Sequence, residues 1–170
     1  GNMDSSKFKN YILGIIFYRY LSERTESYMN DLLKNDGITY EEAYADEKFR
    51  PTVEKWSVNS LGYIMKPQYL YRNLIDKINK RSFSVEDFEK AISELTGSTM
   101  GQESEPDFTG LFNDMKLQDP DLGDAVSERT ELISKVMSRI ADIDFMLNES
   151  QFDVLGLSLI HISEPTRQEA

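Results

Sequence analysis

Apolar residues recur along this chain at the three-and-four spacing of helices, and each run carries its own start and stop signals. In the first, Phe8, Tyr11, Ile12, Ile15 and Ile16, then Tyr28, Met29, Leu32 and Leu33, follow the N-cap oxygens of Asp4, Ser5 and Ser6, and Gly37 closes the run. Between Tyr11 and Leu21 the pattern is apolar nearly all round. That predicts the core helix, with Ile12, Ile16 and Leu21 almost fully buried against stripes at Leu70–Leu74 and Ile133–Ile140. Gly14, a poor helix former, predicts that a neighbouring helix crosses closely there.

Thr39-x-x-Glu42 has the form of a capping box and opens a short helix that Pro51 should end. Trp56, Val58 and Leu61-Gly62-Tyr63-Ile64 make Val53 to Met65 read as extended chain or a small hairpin. Pro67 suits a first helical position, and Leu70, Leu74, Ile75 and Ile78 form one stripe. Ser84 caps the next helix, with Phe88, Ala91, Ile92 and Leu95 on its buried face and Gly97 as its stop. Residues 97–124 read as a long loop with one short turn at Phe108–Phe112. A last helix runs from about Ala125 to Asp142 through Val126, Ile133, Val136, Met137 and Ile140. The fold class is therefore mainly α, an orthogonal bundle of about five helices, with room for a small two-stranded patch at 53–65.

Composition narrows the chemistry. Of 170 residues 39% are apolar, enough for one domain core, and there is no cysteine. Thiol catalysis, disulfides and thiolate metal sites are excluded. The one histidine, His161, lies near the C-terminus, so imidazole chemistry has almost no material. The longest apolar stretch, Tyr11–Leu21, is interrupted by Arg19 and is far short of the roughly 20 residues that span a bilayer. With no signal-peptide pattern at the start, a cytoplasmic location is expected.

Nineteen basic and 30 acidic residues give a net charge of −11. The first 36 residues are neutral, whereas Glu103, Glu105, Asp107, Asp114, Asp119, Asp121, Asp124, Glu128 and Glu131 face only Lys116 and Arg129. Phosphate neutralisation drives nucleic-acid affinity, so the chain alone should bind DNA weakly or not at all. The acidic stretch reads as a solvated loop before it reads as a site for a basic partner.

No glycine-rich phosphate cradle occurs. Asp119, Asp121 and Asp124 resemble a calcium loop only superficially, because Pro120 interrupts them and no bidentate Glu is in register. Asp142 and Asp144 would diverge on a helix, which makes them polar caps and not a catalytic pair. Arg19 in an apolar helix is either a paired, snorkelling arginine or a contact residue. Tyr11, Tyr18, Tyr20, Tyr63, Tyr69 and Tyr71 accompany Arg19, Arg72, Lys77, Lys80 and Arg81. Aromatics beside bases can stack on nucleobases, though at helical spacing they are more often core.

Four ordered stretches resemble a known family. Residues Asn2 to Ser22, including Tyr11-Ile12-Leu13-Gly14-Ile15-Ile16-Phe17-Tyr18-Arg19-Tyr20, are similar to the opening helix of the modification (M, HsdM) subunit of type I restriction-modification systems. Leu61-Gly62-Tyr63 through Pro67 resembles its Gly-Tyr-x-x-x-Pro element, and Phe108 to Leu122, with Leu111-Phe112-Asn113-Asp114, its acidic connector. Ile133 to Phe152, followed by Asp153-Val154-Leu155-Gly156, resembles the lead-in to the methyltransferase domain.

The resemblance implies a helical N-terminal domain that helps assemble and close a complex on DNA. Adenine-N6 methylation would then be carried out by a following domain. The implied partners are that methyltransferase domain, a specificity (S) subunit, a second M subunit and DNA. The implied cofactor is S-adenosylmethionine, bound outside this segment. No Asn-Pro dipeptide occurs in the sequence, so no catalytic, cofactor or metal residue carries over. The bases and aromatics singled out above, Arg19, Tyr63, Arg72, Lys77, Lys80 and Arg81, are the candidate DNA or subunit contacts. The rival reading is a free-standing acidic interaction or DNA-mimic module, which would need acids spread along a surface and not bunched in one segment.

The resemblance also implies that the family's domain occupies residues 1–156, with part of the family's sequence lying before Gly1 and after Gly156. Residues 157–170, from Leu157-Ser158-Leu159-Ile160-His161 to Pro165-Thr166-Arg167, resemble a translated sequencing-library adapter. They are expected to be a non-native tail that contributes little to stability.

Overall fold

The structure, a computed structural model, describes residues 5–145, which form seven α-helices and two short 3-10 turns; among the described residues there is no strand. Helix α1 (Ser5–Leu33) is the longest, with 29 residues, or about 43 Å of rise. It is followed by α2 (Tyr40–Ala45), α3 (Arg50–Leu61), a 3-10 turn at Pro67–Tyr69, α4 (Tyr71–Asn79) and α5 (Val85–Gly97). Then come α6 (Glu105–Asn113), a 3-10 turn at Pro120–Leu122 and α7 (Val126–Ala141). Helix α1 packs against α2, α4 and α7, α2 packs on α3, and α5 packs on both α6 and α7. The mainly α bundle is thus observed, built around α1.

The helix starts signalled at Thr39 and Ser84 are realised in the backbone. The Thr39 hydroxyl accepts from the Glu42 amide while the Glu42 carboxylate accepts from the Thr39 amide, each at 3.1 Å. Ser84 and Asp87 form the same reciprocal box at the start of α5. Together these satisfy amides that a helix N-terminus leaves without intrahelical partners.

Two segments differ from the sequence expectation, and proline explains both. Pro51 does not end α2, which stops at Ala45; it stands in the first turn of α3. The stretch taken for extended chain is mostly that helix, with Val53, Trp56, Ser57 and Leu61 at i, i+3, i+4 and i+8 toward the core. Likewise, the short turn expected at Phe108–Phe112 is the nine-residue α6, with Pro106 in its first turn. A proline lacks the amide that the first turn leaves unpaired anyway, so it starts a helix as readily as it stops one.

The core face of α1 is also turned from its expected position by about one residue, roughly 100° on a helix. Leu21 is buried as expected, but Ile12 and Ile16 are only partly buried, and Tyr11, Ile15, Phe17 and Tyr18 fill the centre. A Cβ on Gly14 would lie 2.7 Å from Met115 Sδ, so the close approach expected there is made by a side chain of the segment after α6 and not by a crossing helix. Gly62, at φ +86°, ends α3 in the left-handed region that glycine enters without strain.

Candidate interaction surface

Tyrosine hydroxyls pin the bundle from inside. Tyr11 donates to the Lys116 carbonyl at 2.6 Å, Tyr18 to Tyr69 O at 2.7 Å, Tyr40 to Met65 O at 2.7 Å and Tyr71 to Met137 O at 2.6 Å. Each joins a buried ring to a carbonyl on a distant segment, so the rings are core and their polar ends are satisfied. Tyr63 belongs to this set. It is fully buried, donates to Leu21 O at 2.8 Å and presents no surface to a partner in this fold.

Arg19 is equally internal, with 12% of its side chain exposed. Its Nε lies 2.7 Å from Glu23 Oε1, and its Nη1 donates to the carbonyls of Ile140 and Ile143. Its guanidinium sits 4.7 Å from the centre of the Phe145 ring. The last carbonyls of a helix lack intrahelical donors and carry partial negative charge, so a planar cation from α1 closes the end of α7.

The remaining sequence-selected residues gather on α4 and its exit. Arg72 reaches Glu26 on α1 at 2.5 Å and also Glu41 on α2. Burial pushes the Glu41 carboxyl up, but its own backbone amide and Arg72 outweigh that and hold it below its ordinary value. Lys77 lies 3.2 Å from the Asp87 oxygen that also caps α5, and Lys80 lies 2.8 Å from Asp76. Arg81, at φ +59°, is exposed and makes no ion pair among the described residues. The fold therefore brings Arg72 and Lys77 onto α4 and Lys80 and Arg81 to its exit, neutralises the first three with carboxylates, and places Arg19 and Tyr63 elsewhere. Beside Arg72 a cleft of about 550 Å³ is lined by Glu41, Tyr44, Arg50, Lys66, Gln68 and Asn73.

A second feature has no counterpart in the sequence reading. A groove of about 790 Å³ lies between α5, α6 and residues 113–120. One wall is Glu89, Ile92, Ser93, Thr96 and Gly97, a helical period along the flank of α5 beside its core stripe, continued by Met100 in the turn that follows. That spacing is present in the sequence as a second helical period beside the buried one. The acidic segment supplies the other wall and is ordered: Asp119 and Asp121 are both clasped by Lys7, whose hydrogen bond holds the Asp119 carboxyl below its ordinary value. No group of three or more potential metal ligands occurs among the described residues, nor does any helix long and apolar enough to cross a membrane.

Comparison with known proteins adds what geometry alone does not. The sequence profile of the HsdM N-terminal domain family matches residues 1–140. The chain is 28% identical over 165 residues to the type I restriction enzyme MpnII methylase subunit of Mycoplasma pneumoniae, an alignment covering 92% of this chain and 30% of that protein. Its fold is similar to that of a type I restriction-modification methyltransferase subunit from Streptococcus thermophilus, with a TM-score of 0.76 at 21% identity. That likeness covers 93% of this chain and 34% of the other. The chain thus spans about a third of the length of these relatives.

Proposed function

The chain belongs to the HsdM N-terminal domain family, and we propose from that premise that it acts as the helical N-terminal domain of a type I restriction-modification M subunit. On this reading it helps assemble the subunits and close them around DNA, while a following domain binds S-adenosylmethionine and methylates adenine N6. The partners are that methyltransferase domain, a specificity subunit, a second M subunit and the DNA held between them. The observation that carries the reading is the family match across residues 1–140.

Charge supports a role inside an assembly and not as a solitary DNA binder. At a net −11, and with Arg72, Lys77 and Lys80 already paired to carboxylates, the isolated domain has little to offer phosphate. Within a complex these cations would exchange a carboxylate for a phosphate, and Arg81 would meet it directly. A DNA mimic, by contrast, needs acids spread along a surface, whereas here they bunch between residues 103 and 131.

A chimera tests the proposal. A family M subunit lacking its own matching region is assayed for assembly and adenine methylation, alone and with this segment fused in its place. The fusion should restore both; one that neither joins the specificity subunit nor methylates DNA would overturn the reading. Charge reversal at Lys77, Lys80 and Arg81 in the active chimera should weaken DNA binding across sequences and reduce its salt dependence. Unchanged affinity across a salt series would remove this segment as a DNA contact.

A further inference from the structure

We propose that the groove between α5, α6 and residues 113–120 is the docking site for an amphipathic helix of a partner polypeptide, apolar along one stripe and carrying Lys or Arg on its flanks. Shape is the first argument. The α5 wall from Glu89 to Gly97 rises about 12 Å and is prolonged by the turn to Met100, which matches the roughly 10 Å between i and i+7 anchors on a docked helix. Ile92, Phe112, Met115 and Leu117 supply an apolar floor. Met100 stands at the rim with 74% of its surface exposed, the most open of the large apolar side chains among the described residues.

Charge decides the occupant. The Glu89 carboxylate accepts from the Gln118 amide at 2.9 Å, and that of Glu105 from the Gly101 amide at 2.8 Å. Both donors are neutral, so neither carboxylate is compensated by a cation among the described residues. Asp119 is held by Lys7, which leaves Lys116 as the single cation on the walls. A phosphate-bearing ligand would be repelled here, whereas basic flanks would meet Glu89 and Glu105 as the apolar stripe covers Met100. The inference rests on the assembly reading only in taking the partner to be another polypeptide of that complex.

The test uses the whole 170-residue chain, isotope-labelled, and a synthetic helical peptide of about 14 residues with Leu at i, i+3 and i+7 and Lys beside them. A control peptide has the same composition permuted so that the leucines share no face. The first peptide should shift resonances of α5, α6 and residues 113–120, and the control should bind at least about tenfold more weakly. Met100→Ser should cost about tenfold in affinity, and the double variant Glu89→Gln, Glu105→Gln should lower both affinity and salt dependence. Equal binding of the two peptides, shifts spread over other faces, no binding, or variants that leave affinity unchanged would each overturn the proposal. Assembly of the chimera is measured separately, so either idea can fail while the other stands.

Discussion

The inner face of α1 and the groove flank of α5 treat their polar groups in opposite ways. Along α1, Tyr11, Tyr18 and Arg19 all reach backbone carbonyls on other segments, and the aromatic rings between them are buried. Along the groove face of α5 and the turn after it, Glu89 meets no cation among the described residues and Met100 is open to solvent. Unsatisfied polar groups are costly inside a protein and cheap outside it, so the first arrangement is where stability resides. The second costs the isolated domain little, which leaves that face available to a partner. Perturbing each face in turn should therefore give unlike results.

The largest effect should come from alkali, which attacks the α1 side as a whole. Burial pushes the phenols of Tyr11 and Tyr69 up to about 12 and those of Tyr18, Tyr40, Tyr63 and Tyr71 upward as well. A folded pKa above the unfolded value of 10.0 means that the stabilising contribution is complete below pH 10 and is lost as pH rises through about 12. We expect phenolate absorbance to lag behind that of free tyrosine and then rise together with loss of helical circular dichroism. Absorbance that titrates near pH 10 with the fold intact would show that these hydroxyls are not held as described.

Next in size is the centre of the core. Ile15→Ala should lower the unfolding free energy by about 2–5 kcal/mol in urea, because Ile15 is fully buried. Ile16→Ala should cost less, since Ile16 is only partly buried. Equal losses would mean that α1 is rotated from the orientation described.

Arg19→Met keeps the apolar stem and removes the fork, leaving the Ile140 and Ile143 carbonyls without this donor. We expect a loss of about 1–3 kcal/mol and faster amide exchange in the last turn of α7. Arg19→Lys should recover little, because an ammonium cannot reproduce the planar fork over the Phe145 ring. Full recovery would reduce Arg19 to a simple counter-ion of Glu23.

How much of this was legible in the sequence follows from which signals are local. The capping boxes at Thr39 and Ser84 were readable because hydrogen bonding across three residues is a property of the segment itself. Prolines were ambiguous for the same reason: Pro51 and Pro106 sit in first turns, and nothing within a few residues says whether a proline opens a helix or ends one. Arg19 was visible as an oddity in an apolar helix, yet the carbonyls it holds lie 121 and 124 residues away, beyond any periodicity. The cations of α4 were found, but not that Glu26, Glu41 and Asp87 neutralise them, since those carboxylates come from three other helices. The expected low stability cost of residues 157–170, and the reading of them as foreign, lie outside the described residues.

The smallest expected effect compares two carboxylates on α5 itself. Glu94 accepts from Lys66 and from Tyr69, the latter at 3.0 Å, and the Lys66 hydrogen bond holds its carboxyl below the ordinary 4.5. A depressed folded pKa means that its contribution is complete above the unfolded value of 4.5 and is lost as pH falls below it. Glu94→Gln should therefore lower stability at neutral pH by less than about 1 kcal/mol, as partly exposed pairs do, and flatten the decline of stability in acid. Glu89 lies five residues earlier on the groove face and has no cation partner among the described residues, so Glu89→Gln should change stability by no more than about 0.5 kcal/mol. Denaturant titrations of both variants between neutral pH and pH 3 separate the two cases. A stability loss from Glu89→Gln as large as that from Glu94→Gln would show that the groove carboxylate is already engaged within the domain, and the contrast between the two faces of α5 would fall.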